Sequence, residues 1–77
     1  MRIYVCYKKE WGLTKIFYAT TTTSINHIES MVWKEYDDDV LSVNSSNIGY
    51  FVECWVNGEL SETLKLDKIT MRLSKYQ

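Results

Sequence analysis

The stretch Gly49-Tyr-Phe-Val-Glu-Cys-Trp-Val56, with Asn57-Gly58 and then Glu59-Leu-Ser-Glu-Thr-Leu-Lys-Leu66, decides the fold. Two runs rich in β-branched and aromatic residues flank an Asn-Gly pair. That pair tolerates the positive φ angles of a tight turn between antiparallel strands. The stretch therefore predicts a β-hairpin.

The register of this hairpin is open between two arrangements. A strict two-residue loop would set Glu53 directly opposite Glu62, and like charges facing each other across a strand pair are destabilising. A three-residue loop, Asn57 to Glu59, avoids this and forms one coherent apolar face, so we favour it. Its aligned pairs are Val56 with Leu60, Val52 with Leu64 and Tyr50 with Leu66.

The N-terminal residues predict a second hairpin. Arg2 to Tyr7 is rich in β-branched and aromatic residues and is apolar on both faces, which is typical of a central strand. Lys8 to Gly12 is a polar break, and Leu13 to Ala19 resumes a strand-like composition.

Between the hairpins the apolar period becomes helical. The periodic residues are Ile25, Ile28, Val32 and Tyr36, and they predict a helix from Ser24 to about Asp37. The acidic run Asp37 to Asp39 stands where the helix macrodipole is negative, so we expect it to end the helix. Asn44 to Asn47 predicts a loop.

Residues 67–76 fit two structures. Alternation of Ile69, Met71 and Leu73 favours a strand, whereas an Asp67 cap and helical spacing favour a short helix. The whole chain predicts one α+β domain over residues 1–77, with an antiparallel sheet of four to five strands and one helix packed on one face. The order of elements is ββαββ(β).

One helix covers one side of a sheet, yet several strands are apolar on both sides. We therefore expect large rings in an exposed patch of the kind that marks an interface. Trp11 lies in a polar turn, where its ring is either folded back on the core or a binding anchor. The candidate partner-binding residues are Trp11, Tyr4, Phe17, Phe51 and Trp55.

The sequence shows no catalytic, cofactor or metal-binding constellation, and we expect a protein that is not an enzyme. His27 is the only histidine, and we interpret it as a solvated helix residue. Asp37 to Asp39 lacks the ligand spacing of a calcium loop. Glu53 and Glu62 could suggest a two-carboxylate hydrolase, but a chain of 77 residues has little volume for the cleft.

Charge and cysteine content limit the partner and the compartment. Nine basic and ten acidic residues give a net charge of -1, which neither attracts nor imitates a polyanion. The N-terminal apolar run is too short for a signal peptide or membrane span, so we expect a cytoplasmic protein without membrane contact. Cys6 and Cys54 are expected to be reduced and buried, with a disulfide as the lesser alternative.

Single-stranded nucleic-acid binding through the first hairpin remains an alternative function, although nucleic acid is an unlikely partner for a chain of balanced charge. The residues that suggest it are Arg2, Lys8, Lys9, Lys15 and Trp11.

Four segments of the chain show a resemblance to known proteins: Met1-Arg-Ile-Tyr-Val-Cys-Tyr7, a second strand ending near Tyr18, the Ser24-led helix and the strand Tyr50 to Trp55. Together they resemble small uncharacterised phage and prophage proteins. The resemblance lies in the ββαβ order of elements over about the first 57 residues, and it assigns a functional role to no residue of this sequence. It implies a context, because such domains often inhibit host proteins stoichiometrically, including defence systems. We therefore predict a non-enzymatic binding domain that inhibits a host protein, with a homodimer through the uncovered sheet face or an edge strand as an alternative.

Overall fold

The computed structural model describes residues 1–21, 24–42 and 47–76. Its strands form one antiparallel sheet in the order β2-β1-β3-β4-β5, and the helix packs on one face. The elements are β1 Arg2–Glu10, β2 Leu13–Thr20, α1 Ile25–Ser42, β3 Ile48–Val56, β4 Glu59–Asp67 and β5 Arg72–Lys75. The predicted α+β fold is confirmed, with five strands.

The core lies between α1 and the three inner strands β1, β3 and β4. β1 and β3 pair along their whole length, from Arg2 opposite Val56 to Glu10 opposite Ile48. The even-numbered residues of both strands face the helix. The buried cluster contains Tyr4, Cys6, Ile28, Val32, Ile48, Tyr50, Val52, Cys54 and Leu66. Each large side chain buried there contributes roughly 1.5–3 kcal/mol of hydrophobic stabilisation.

Both hairpins turn through two residues with positive φ, the conformation that suits the twist of paired strands. Asn57 and Gly58 have φ of 51° and 84°, and Trp11 and Gly12 have φ of 54° and 83°. Asparagine and glycine tolerate this conformation, whereas a bulky aromatic residue there is an outlier. The first turn is therefore strained at Trp11.

A β-bulge makes the β3–β4 register a mixture of the two arrangements considered from the sequence. The register shifts between Cys54 and Trp55. The pairs on the two sides of the shift are Val56 with Glu59, Trp55 with Leu60, Cys54 with Glu62, Glu53 with Thr63 and Val52 with Leu64. The predicted three-residue loop and the Val56–Leu60 pair are wrong, whereas the Val52–Leu64 pair is confirmed. The bulge keeps the two-residue turn and still separates Glu53 from Glu62.

The helix begins as predicted and ends later. Ser24 Oγ accepts a hydrogen bond of 3.3 Å from the backbone N–H of His27, as an N-cap residue does. The prediction that Asp37 to Asp39 ends the helix is wrong, because α1 continues to Ser42. Asp39 is buried against the sheet, and its contacts there outweigh the unfavourable macrodipole. Residues 44–46 of the predicted loop lie outside the described residues.

The C-terminal segment is a capped turn followed by a short strand. Asp67 Oδ1 accepts hydrogen bonds from the backbone N–H groups of Ile69 at 2.8 Å and Thr70 at 3.3 Å. The Met71 N–H then donates to the Asp67 carbonyl at 2.7 Å. The strand prediction is thus confirmed only from Arg72 onward, and Asp67 caps one turn rather than a helix.

The two cysteines are both free and buried, as predicted. Both cysteines point toward the helix from neighbouring strands. Cys54 is paired with Tyr4 and Cys6 with Val52, and all four side chains belong to the core cluster. Burial raises the pKa of the Cys6 thiol to about 12, so this thiol stays protonated and unreactive at neutral pH.

Candidate functional site

A polar cluster joins the C-terminal half of α1 to the sheet. Lys8 Nζ lies 2.6 Å from Glu35 Oε2 and 2.9 Å from Asp39 Oδ2. Tyr50 donates its hydroxyl proton to Asp39 Oδ2 at 2.7 Å. The Lys8 and Asp39 side chains are only 16% and 12% exposed, so water screens this pair little.

The chemistry of this cluster is that of a structural network. Burial lowers the pKa of Lys8, but hydrogen bonds and charge from Glu35 and Asp39 outweigh it, and the net pKa is raised. Burial, then the hydrogen bond and charge of Asp39, raise the pKa of Tyr50 far above its ordinary value. Lys8 and Tyr50 therefore hold their protons at neutral pH and are poor general bases or nucleophiles.

Within the described residues, every buried side-chain nitrogen and oxygen has a hydrogen-bond partner. The same residues contain no group of three or more histidine, cysteine, aspartate or glutamate side chains that could hold a metal ion. The unexplained features of this part of the chain are therefore the apolar side chains on its surface.

The open face is the side of the sheet that points away from α1. The strand registers arrange its side chains in rows that run across the strands. Nearest the first turn is a polar row of Thr14 and Lys9 beside Gly49. The three rows beyond it are Ile16, Tyr7, Phe51 and Lys65; then Ala19, Val5, Glu53 and Thr63; then Ile3, Trp55 and Leu60. Most of these side chains are apolar or aromatic, and Glu53 is the only acid among them.

Phe51 is the centre of an aromatic group on the open face. The Tyr7 ring stacks on Phe51 with centroids 5.2 Å apart, and Tyr76 meets Phe51 edge-on at 5.3 Å. Lys65 Nζ lies 5.6 Å from the Phe51 centroid. Phe51 is only 7% exposed for this reason, and the rings that face outward belong to Tyr7 and Tyr76.

In the third row, the Trp55 ring is fixed by a hydrogen bond to Glu53 of the second row. Trp55 donates its indole Nε1–H to Glu53 Oε1 at 3.2 Å, which fixes the ring against the sheet. Ile3 and Leu60, on either side of Trp55, are 37% and 48% exposed. Nearer the first turn, a shallow depression of about 300 Å³ is lined by Val5, Tyr7, Lys9, Thr14, Ile16 and Glu53.

The first hairpin presents further apolar side chains at its tip and along β2. Trp11, Leu13 and Ile16 are 80%, 77% and 62% exposed. Trp11 is therefore not folded back on the core. Its ring points outward from a strained turn, an arrangement that suits a binding anchor.

The five sequence-predicted residues fall into three groups. Phe51 and Trp55 lie on the open face, and Trp11 lies at the hairpin tip. Phe51 is covered there by other rings and is 7% exposed, so its expected exposure is wrong. The expected exposure of Tyr4 is wrong, because Tyr4 faces the helix and is 6% exposed. Phe17 is the extra residue of a bulge in the β1–β2 pair and packs half-buried against the core, so its expected exposure is also wrong.

The sequence prediction missed Tyr7, Ile3, Ile16, Leu60 and Tyr76 on the open face. Alternation in β1 already separated Ile3, Val5 and Tyr7 from Tyr4 and Cys6. It did not say which set the helix covers, because both sets are apolar.

The basic patch predicted on the first hairpin does not assemble as a unit. Lys8 is held by Glu35 and Asp39 beneath the helix. Arg2 lies at the opposite end of β1 from Trp11, roughly 25 Å away at the rise of an extended strand. Lys9 and Lys15 remain near Trp11. His27 is exposed, as predicted, and its Nε2 lies 2.8 Å from the Tyr18 hydroxyl.

Comparisons with protein-family models, with curated proteins and with solved structures find no match to this chain. Its class is therefore defined by the fold alone, a five-stranded antiparallel α+β domain with one face open. Among the described residues, no helix is both long and apolar enough to cross a membrane.

Proposed function

We propose that this chain is a non-enzymatic protein-binding domain that inhibits a host protein by forming a stoichiometric complex with it. The phage context comes from the resemblance of the sequence and is part of the proposal. The observation that carries it is the open face, where the outward side chains of the two central strands are largely apolar and aromatic. Exposed apolar surface on central strands is a feature of protein interfaces.

The arrangement of the open face supports recognition of a protein surface. Tyr7 is fixed by stacking on Phe51, and Trp55 is fixed by its hydrogen bond to Glu53, so little side-chain entropy is lost when these two rings become covered. Ile3 and Leu60 offer aliphatic area beside Trp55. Rigid rings surrounded by smaller apolar groups are the usual composition of interface hot spots.

The polar cluster supports the non-enzymatic part of the proposal. Lys8 and Tyr50 hold their protons at neutral pH, and their hydrogen bonds to Glu35 and Asp39 serve the packing of α1. Balanced net charge and the separation of Arg2 and Lys8 from Trp11 make the nucleic-acid alternative weaker.

The test compares two double variants that add the same charge. Ile3→Lys with Leu60→Lys alters the open face, and Ile25→Lys with Leu41→Lys makes the same two kinds of substitution on α1, at residues 43% and 88% exposed. Each tagged protein is used to capture partners from a host lysate, and binding to the identified partner is then measured by titration calorimetry.

We expect a one-to-one complex with the wild type and the control, and at least a tenfold weaker complex with the open-face variant. Equal affinity for both variants would remove the open face as the binding surface. A catalysed turnover of the captured protein would contradict the stoichiometric role.

A further inference from the structure

The two edges of the sheet differ in how they are protected. β5 has four residues, and the Leu73 N–H donates to Glu29 Oε2 of α1 at 3.2 Å, with Arg72 Nε at 3.4 Å from the same oxygen. β2 has eight residues and no proline. Native proteins usually shorten, charge or cover an edge strand because it can pair with another chain. β5 follows this rule, whereas β2 is long and largely uncharged.

The first hairpin determines which backbone groups of β2 point outward. Its two-residue turn makes Glu10 and Leu13 the hydrogen-bonded pair that closes the hairpin. Antiparallel pairs alternate between bonded and non-bonded, so Lys15 also bonds toward β1. Thr14 and Ile16 therefore direct their N–H and C=O groups away from the sheet, toward the position that another strand would occupy.

The side chains around this edge indicate what kind of strand fits. Leu13 and Ile16 are exposed apolar residues, one on each side of the sheet, and Lys15 is the only charged residue of β2. An added strand would set an apolar residue beside Ile16 on the open face. Its neighbouring residue would lie beside Lys15 on the helix side, where an acid gives a favourable cross-strand pair.

Charge argues against a second copy of this chain as the occupant. In a symmetric antiparallel pairing of two β2 strands, Lys15 either faces Lys15 of the other copy or lies roughly 8 Å from it in the adjacent registers. That distance is within the screening length of physiological salt, so the two cations repel each other in each case.

We propose that the outer edge of β2 binds an extended segment of the partner protein as a sixth strand, in which acidic and apolar residues alternate. Main-chain hydrogen bonds to Thr14 and Ile16 supply the affinity, and Lys15 with Ile16 supplies the selectivity. This inference rests on the proposed function, because it names the element of the partner that the domain takes up.

The test uses the full chain, labelled with ¹⁵N, and two capped heptapeptides as probes. One peptide alternates valine with glutamate, and the other alternates valine with lysine. At millimolar concentration the glutamate peptide should shift the amide signals of Thr14 and Ile16, and the lysine peptide should leave them unchanged. Equal shifts from both peptides, or none from either, would overturn the inference.

Three variants sharpen this test. Thr14→Pro removes an outward N–H while leaving the bonds to β1, so it should abolish the shift of the Ile16 amide signal, and Thr14→Ser should retain the shifts at both positions. Lys15→Glu keeps every backbone donor and should reverse the preference to the lysine peptide. If Lys15→Glu still prefers the glutamate peptide, the assignment is wrong. If the amide signals shift as the protein concentration rises without any peptide, the edge binds a second copy of this chain instead of a partner segment.

The same variants separate this inference from the proposed function. If Thr14→Pro binds the captured host partner as well as wild type does, while the open-face variant does not, the edge assignment fails and the binding function stands. If neither variant weakens the complex, the edge of β2 and the open face are both excluded as the binding surface; if wild type forms no one-to-one complex with a host protein, the binding function itself fails.

Discussion

Replacing Asp39 with alanine should destabilise the protein far more than the same change at Asp37, two residues away in α1. Asp37 is exposed, whereas Asp39 is 8% exposed and accepts hydrogen bonds from Lys8 and Tyr50. The two variants lose the same charge and gain the same helix propensity. Their difference therefore reports the contacts of Asp39 alone.

The expected loss of stability follows from the Tyr50 and Lys8 side chains, which lose Asp39 as a partner. The Tyr50 hydroxyl loses its acceptor in a fully buried position, which costs about 1–3 kcal/mol. Lys8 keeps Glu35 at 2.6 Å, so the cost stays below the roughly 3–5 kcal/mol typical of an orphaned buried charge. Relief of the macrodipole returns a few tenths of a kcal/mol. We expect Asp39→Ala to lose about 2–3 kcal/mol, and Asp37→Ala to stay within about 0.5 kcal/mol of wild type.

Urea unfolding followed by tryptophan fluorescence measures both values, and thermal unfolding should show Asp39→Ala melting about 10–20 °C lower. Asp39→Asn, which keeps an oxygen for Tyr50 and loses the charge, should fall between wild type and Asp39→Ala. If Asp39→Ala and Asp37→Ala agree within 0.5 kcal/mol, the cluster does not hold the helix end, and the explanation for the extended helix is wrong.

Three further predictions concern other parts of the fold. Cys6 and Tyr50 have raised pKa values in the fold, so at high pH the folded protein keeps protons that the unfolded chain releases. The free energy of unfolding should therefore be complete below about pH 9 and fall as the pH rises toward 12. Urea midpoints measured across this range should decrease, and they should decrease less steeply in Cys6→Ala. Trp11→Gly relieves a positive φ and should raise the free energy of unfolding by about 1 kcal/mol in urea titrations, whereas no gain would show that the turn is unstrained. Tyr76→Ala uncovers one side of Phe51 and should cost about 1 kcal/mol in the same assay, against about 3 kcal/mol for Phe51→Ala; equal losses would contradict the layered packing of the open face.

The elements that sequence predicted correctly are those that local chemistry determines. Asn57-Gly58 dictates its own turn, and Ser24 caps the helix with its own hydroxyl. The end of the helix depended instead on Lys8 and Tyr50, which are distant in sequence and meet Asp39 only in the folded chain. Local rules for charge at a helix end could not include that contact.

The sequence predicted that the sheet has an uncovered aromatic face, but it identified only some of the residues on that face. Rings on both faces of β1 indicated an uncovered aromatic face, but the choice between Tyr4 and Tyr7 depended on which side α1 packs. Lys8 lies on the Tyr4 side and pairs with Asp39 of the helix, which identifies that side in the structure. Bulges, as at Phe17 and beside Cys54, shift registers in ways that alternation alone does not reveal.

The most direct test of the open face as the docking surface is methyl-detected NMR of the protein with its purified partner. The account predicts that the methyl signals of Ile3, Val5 and Leu60 shift or broaden on binding. Those of Ile25 and Leu41, which lie on α1 at the other side of the sheet, should stay in place. Shifts confined to Ile25 and Leu41, with Ile3 and Leu60 unchanged, would contradict it.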